Sequence, residues 1–251
     1  MPVTTTFLAG FDGAPLAVHR LGTGRPVLLL HGLFSSAEVN WIKYGTAEAI
    51  AAAGFEAIMP DLRAHGQSAH PHDPAAYPED VLVRDLTGLV DQLGLADYDL
   101  CGFSLGARTA LKGVAEAGLT PRRLILSGMG LAGIQRWSGR IGFFLDAIAR
   151  FGTIPRGDPA YFAQAFMKST GTDLVASRLL LESFQAGQVS DFAAVTMPTL
   201  LLCGSEDDDN GSAEELAAVL PNATHAAMPG THMTSVTKRE FGAGIVAFLT
   251  G

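Results

Sequence analysis

Ser104 sits in Gly102-Phe103-Ser104-Leu105-Gly106, and this spacing is the chemistry-bearing centre of the 251-residue chain. A short apolar run ending at Phe103 leads into it, and Ala107-Arg108-Thr109-Ala110-Leu111, a helix-favouring stretch, leads out. A serine on a sharp strand-to-helix turn presents its hydroxyl above the sheet edge. Glycines at 102 and 106 suit such an elbow because a Cβ at either would collide with the turn or the neighbouring strand. The N–H of Leu105 then lies at the positive end of a helix and points into the same space as the hydroxyl. A serine oxygen is a poor nucleophile at neutral pH, so the chemistry also needs a base, an acid partner for that base and a second N–H donor.

Elements must exist to bring such groups together, and the chain supplies them in alternation. Thr4–Leu8 and Leu16–Arg20 flank Phe11-Asp12-Gly13 as an antiparallel edge hairpin. Val27–Leu30 is an uninterrupted aliphatic run of the kind a fully buried parallel strand requires. Helix is expected over Ala37–Ala53 with Gly54 as its cap, then a strand over Phe55–Met59. A further helix opens on Glu79-Asp80, carries Leu82, Leu86, Leu89, Val90 and Leu93 on one stripe and stops at Gly94. Strand, elbow and helix follow, and Arg123–Ser127 reads as another buried strand. From Gly128 to about Val195 the rhythm changes to three helical stretches, holding seven of the 14 Phe. Strand–helix alternation resumes at Pro198–Gly204, Ser212-x-x-Glu215 reads as a capping box, Thr224–Met228 as a last strand, and Phe241, Ile245, Phe248 and Leu249 mark a final helix. The pattern predicts an α/β fold, a doubly wound, mostly parallel sheet from residues 1–127 and 196–251, interrupted by a helical lid over 128–195.

Composition narrows the function classes. A net charge of −8 gives no electrostatic footprint for nucleic acid or anionic lipid. No apolar run reaches the length of a membrane span, and the opening Met-Pro-Val-Thr-Thr-Thr lacks the regions of a signal peptide. Cys101 and Cys203 near the ends of core strands read as buried reduced thiols. A cytoplasmic protein acting on a small molecule is the expectation, with no nucleic acid or membrane partner and no cofactor; the oligomeric state is open. His70 and His72 resemble a metal pair by type only, since no acidic or Cys partner has ligand spacing; a solvated loop and no metal are expected.

Five motifs in order carry a resemblance: His31-Gly32-Leu33-Phe34, Asp61-Leu62-Arg63-Ala64-His65-Gly66-Gln67-Ser68, Gly102-Phe103-Ser104-Leu105-Gly106, Gly204-Ser205-Glu206-Asp207 and Gly230-Thr231-His232. Together they resemble the α/β-hydrolase superfamily over nearly the whole chain. One departure is Ala64, where that family usually has glycine; a methyl there strains the turn without touching a catalytic role. The resemblance implies Ser104 as nucleophile, His232 as base and Asp207 as its acid, with Asp209 the fallback in the run Asp207-Asp208-Asp209. It implies oxyanion donors at Leu105 and Leu33, Phe34 being the rival to Leu33. His31 reads as structural, and Asp61, Arg63 and His65 as a set knitting the loops near the site.

The lid bears on substrate. Phe34, Arg108, Trp137, Phe143, Phe144 and Phe166 are the candidate substrate-binding residues, an aromatic set suited to an apolar acyl or alcohol group, although the same rings could merely hold the lid to the sheet. The leading expectation is a serine hydrolase of a small carboxylic ester or related acyl bond, working through an acyl-enzyme. A second reading is a lyase: Gly-x-Ser-x-Gly-Ala-Arg resembles the menaquinone-pathway SHCHC synthase, which would make Ser104 a base and Arg108 the binder of an acidic substrate. A third is a non-enzymatic receptor on the same fold. Epoxide hydrolases and haloalkane dehalogenases are disfavoured, because in those families the elbow nucleophile is Asp.

Overall fold

Leu28 and Leu30 point to one face of a central sheet and Val27 and Leu29 to the other, and all four are fully buried. That is the reason the run is aliphatic throughout rather than alternating. The computed structural model describes residues 2–184, 189 and 191–251, so positions 185–188 and 190 of the expected lid lie outside the described residues. Among the described residues the strands are β1 (Thr4–Ala9), β2 (Pro15–Gly22), β3 (Arg25–Leu30), β4 (Phe55–Pro60), β5 (Asp99–Phe103), β6 (Leu124–Ser127), β7 (Thr199–Gly204) and β8 (Ala223–Met228). They form one sheet in the order β1-β2-β4-β3-β5-β6-β7-β8. β1 and β2 pair antiparallel, as do β2 and β4; every later pairing is parallel. The expected mostly parallel, doubly wound architecture is therefore what the chain adopts.

The helices are α1 (Thr46–Ala52), α2 (Val81–Gln92), α3 (Leu105–Ala117), α4 (Leu131–Gln135), α5 (Trp137–Ala149), α6 (Tyr161–Thr170), α7 (Leu174–Ser183), α8 (Ala213–Val219), α9 (His232–Ser235) and α10 (Arg239–Thr250). One face of the sheet is covered by α2, α3 and α8, with the helices of the 131–183 stretch continuous with that core through Ile134, Ile141, Ile148, Met167, Leu180 and Leu181. The other face is closed by α1 and α10, where Trp41 stacks on Phe241 with centroids 5.5 Å apart. Burying a ring of that size stabilises by about 2–3 kcal/mol.

Several local expectations change. The helix read over Ala37–Ala53 is a π-helical turn at Glu38–Ile42 followed by α1, because Gly45 at φ 82° breaks the run. Three expected helical stretches after Gly128 become four α-helices among the described residues, since Arg136 (φ −121°, ψ 34°) leaves helical geometry between α4 and α5. Glu79-Asp80 does not begin α2: Asp80 is its N-cap at φ 56°, makes no side-chain cap bond and pairs instead with Lys112 at 3.0 Å. At α8 Ser212 Oγ accepts the Glu215 N–H, the forward half of the expected capping box. Ala64 stands at φ 67°, the conformation its glycine-preferring position demands, at a cost of about 1–2 kcal/mol. Cys101 and Cys203 are buried free thiols, and burial pushes the Cys203 thiol up to about 11.

Candidate active site

The elbow is built by exclusion of side chains. Ser104 has φ 52° and ψ −111°, a strained conformation between β5 and α3 that the surroundings must impose. A Cβ at Gly102 would stand 2.3 Å from the Gly106 carbonyl carbon, and one at Gly106 would stand 2.1 Å from the Leu30 carbonyl oxygen. The start of α3 therefore lies directly on the end of β3, which delivers the His31–Phe34 loop. The Ser104 N–H donates to the Ser127 carbonyl at 2.8 Å, and its own carbonyl accepts from Arg108 N–H at 3.0 Å. Both bonds tie the turn to β6 and to the first turn of α3.

Ser104 Oγ lies 3.1 Å from His232 Nε2, and His232 Nδ1 lies 3.0 and 3.1 Å from the two Asp207 oxygens. The carboxylate fixes the proton on Nδ1, which leaves Nε2 to accept from the serine hydroxyl. Ser104 and His232 are 7% and 8% exposed, so the chain of three is nearly closed to water. Asp207 and His232 follow backbone segments that pack on one another: Glu206 N–H donates to the Gly230 carbonyl at 3.0 Å, and a Cβ at Gly204 would stand 2.1 Å from that same oxygen. His232 opens α9, behind a capping box made by Thr231 and Thr234. Asp209 faces elsewhere. Its carboxylate is 3.9 Å from Arg140 Nη2, its carbonyl accepts from Arg140 Nη1, and only its N–H reaches Asp207, at 3.3 Å.

Two loops beside the elbow are laced together. His31 Nε2 accepts the Leu62 N–H at 2.9 Å, and His65 Nε2 accepts the Phe34 N–H at 3.0 Å. Each ring turns its Nδ1–H to a carbonyl, Gly32 at 2.8 Å and Arg63 at 2.9 Å. Burial lowers both pKa values, that of His65 to about 3, so both rings are neutral. Asp61 accepts from the Ala37 and Gln67 N–H groups and from His19, and Arg63 forms paired bonds with Asp12 and Asp85. Burial opposes the Asp61 charge, but these donors win and hold its carboxyl below the usual range. The loops are thus satisfied internally, as polar turns under a core must be.

A family model described as the alpha/beta hydrolase fold matches residues 25–124, the span from β3 through α3 to the start of β6. An esterase from Exiguobacterium antarcticum superposes with a TM-score of 0.80 over 99% of this chain and 100% of that one, at 19% identity. The chain has the α/β-hydrolase fold. At that identity the structural likeness speaks for the fold. By sequence, the AB hydrolase superfamily protein YisY of Bacillus subtilis is 28% identical over 213 residues, 76% of this chain and 78% of that protein. Epoxide hydrolase 2 of Siraitia grosvenorii is 36% identical over 99 residues, 39% of this chain and 30% of that protein. This chain thus spans about three tenths of the length of the epoxide hydrolases it matches.

On this α/β-hydrolase fold the remaining candidate residues divide into groups. The Phe34 N–H is committed to His65, whereas the Leu33 and Leu105 N–H groups have no partner among the described residues. Phe34 meets Phe144 edge to face at 5.5 Å, Phe144 meets Phe143 at 5.2 Å, and the Arg140 guanidinium lies over Phe144. These rings run from the loop after β3 to the surface of α5. Trp137 is buried with Arg108 over its ring at 5.3 Å and Phe184 at 6.2 Å, a separate cluster beside α3. Burial lowers the Arg108 pKa to about 10. Phe166 is half-buried and packs into the core shared by the helices of this stretch.

His72 lies in an exposed loop, as expected, and is not without a partner there. Its Nε2 pairs with Asp173, the N-cap of α7, at 2.8 Å and so ties the loop after β4 to that helix. No three or more His, Cys, Asp or Glu side chains cluster as metal ligands among the described residues. Nor is any helix among them long and apolar enough to cross a membrane. Sequence reasoning missed Arg140 and Asn210, which fasten the acid loop to α5 and to the Gly128 carbonyl. Asn210 directly follows the run Asp207-Asp208-Asp209, but no periodicity pairs residues 69 and 82 apart.

Proposed function

We propose that this chain is a serine hydrolase that cleaves a small, largely apolar carboxylic ester or related acyl bond. The observation that carries the reading is the unbroken hydrogen-bond chain Ser104–His232–Asp207, at 3.1 and 3.0 Å, on a strained elbow. In the first half-reaction Ser104 Oγ adds to the carbonyl carbon and His232 Nε2 takes its proton. The Leu33 and Leu105 N–H groups receive the developing oxyanion. Collapse breaks the bond to the leaving oxygen, which takes the proton back from His232, and leaves an acyl-serine. Water then repeats the sequence with His232 as base, releasing the acid and restoring the hydroxyl. Asp207 holds the imidazole in the required tautomer and stabilises its cation.

The aromatic path Phe34–Phe144–Phe143 supports an apolar substrate group, and Asp209, facing Arg140, is set aside as the acid. A serine at the elbow also favours ester chemistry over the epoxide chemistry named for some relatives. Residues 128–195 act as a lid in this reading, and a cytoplasmic location goes with it. The test is reaction with a fluorophosphonate probe followed by an acyl-length series of nitrophenyl esters. Labelling at Ser104 with turnover that prefers short chains is the expected result. Labelling without ester turnover moves the assignment to the lyase, which gains its support from the buried Arg108 in the first turn of α3.

A further inference from the structure

The lacing of the two loops fixes which backbone N–H can meet an oxyanion. Phe34 is held at φ 59°, a left-handed conformation that a bulky residue keeps only when its surroundings impose it. The group that meets its N–H is His65 Nε2, at 3.0 Å, from a ring that is itself anchored by Nδ1–H on the Arg63 carbonyl at 2.9 Å and stands edge-on to His31. His65 is 3% exposed, so its bond to the Phe34 N–H is shielded from water. The peptide between Leu33 and Phe34 is thereby set in one orientation, and the preceding N–H, that of Leu33, has no partner among the described residues.

We propose that His65 is a positioning residue for the oxyanion donor: by accepting the Phe34 N–H it locks the loop in the strained turn that directs the Leu33 N–H at the reacting carbonyl. It touches no substrate and acts through Phe34. The inference rests on the acyl-transfer reading of the Ser104 site. Only a neutral imidazole can take this role, because an imidazolium has no lone pair for the Phe34 N–H; burial keeps the ring in that form.

The test uses nitrophenyl acetate and its thionoester, in which sulfur, a weaker acceptor, replaces the carbonyl oxygen. A working oxyanion site favours the oxygen ester, and the ratio of the two kcat/KM values reads that preference. His65→Gln keeps an acceptor near the Nε2 position, whereas His65→Asn keeps only the bond to Arg63. His65→Asn is expected to lose tenfold or more in kcat with KM within threefold, and its oxygen-to-sulfur ratio should fall about tenfold. His65→Gln should hold both within threefold. Should His65→Asn not fold, residue 34 is replaced by the α-hydroxy acid of phenylalanine, which swaps the N–H for an ester oxygen and should lower the ratio likewise. A folded His65→Asn, or the residue-34 ester, that keeps the wild-type ratio overturns the inference, as does a His65→Gln protein no better than His65→Asn. Wild-type protein that turns over neither ester refutes the hydrolase reading, and this inference with it; wild-type turnover with an unmoved ratio in the variants refutes the inference alone.

Discussion

Gly106→Ala perturbs the contact on which the whole site is registered. The added methyl would stand 2.1 Å from the Leu30 carbonyl oxygen, 2.5 Å from the Leu30 carbonyl carbon and 2.8 Å from the His31 carbonyl oxygen. Carbon and oxygen need roughly 3.2 Å, so α3 and the end of β3 must separate by about 1 Å. All three opposing atoms are backbone, which places the cost toward the upper end of overpacking, about 2–3 kcal/mol. In a chain of this length that lowers Tm by about 4–12 °C. The same separation moves Ser104 and the Leu105 N–H away from Leu33, and a misplacement of about 1 Å costs about a hundredfold in rate. Calorimetric melting and kcat on a nitrophenyl ester measure the two effects. Gly139→Ala is the control: that glycine lies on α5 with nothing within 4 Å of a new methyl, so helix propensity should make the change neutral to stabilising, by up to about 1 kcal/mol. A Gly106→Ala protein that melts with the wild type and keeps its rate would show that the elbow does not rest on β3 as described.

Ser104→Ala should lower turnover by about three to six decades with Tm almost unchanged, since the hydroxyl bonds to His232 and to no backbone group that holds the elbow; activity within tenfold of wild type removes Ser104 from the mechanism. Asp207→Asn should cost about four decades in kcat and Asp209→Asn less than tenfold, and the reverse order would reassign the acid. For stability against pH, His31 and His65 have folded pKa values below the unfolded value near 6.5, so the unfolded state binds more protons under that pH. Stability is then full above pH 6.5 and falls toward pH 3, His65 alone contributing a loss of about 2 kcal/mol by pH 5. Asp12 and Asp61 are lowered carboxyls whose contribution is lost only below about pH 4, outside that window. Wild type should therefore melt several degrees lower at pH 5 than at pH 7, and His65→Gln should narrow the gap; an equal gap in both contradicts the buried-neutral assignment. Arg108→Ala, in protein that melts like wild type, should change kcat/KM on a neutral ester by less than tenfold, about 1.4 kcal/mol, while a hundredfold loss contradicts its bystander role in ester chemistry.

Much of the sheet could be read in advance because its causes are local. Val27–Leu30 is aliphatic on both faces, and only a strand buried on both faces has use for that. Gly102 and Gly106 flank a serine because backbone atoms come within 2.4 Å of where their side chains would be. Where local preference met a competing local fact, boundaries moved: Gly45 divided the expected first helix, and Asp80 left its helix to meet Lys112.

The amino-acid sequence by itself determined the strand–helix alternation, the elbow and the residue types gathered around it, since each is a matter of period, turn chemistry or the absence of a Cβ. Tertiary structure alone decided the partnerships. Asp207 and Asp209 are chemically identical and two residues apart, and only the packing of the 204–209 loop on Gly230 turns one to His232 and the other to Arg140. Leu33 and Phe34 offer the same N–H, and only a histidine 31 residues beyond Phe34 takes one of them and leaves the other. His72 found its acid 101 residues away for the same reason. Hydrogen bonds are short-range and directional, so they select among equivalent groups only after the backbone has been placed to within a fraction of an ångström.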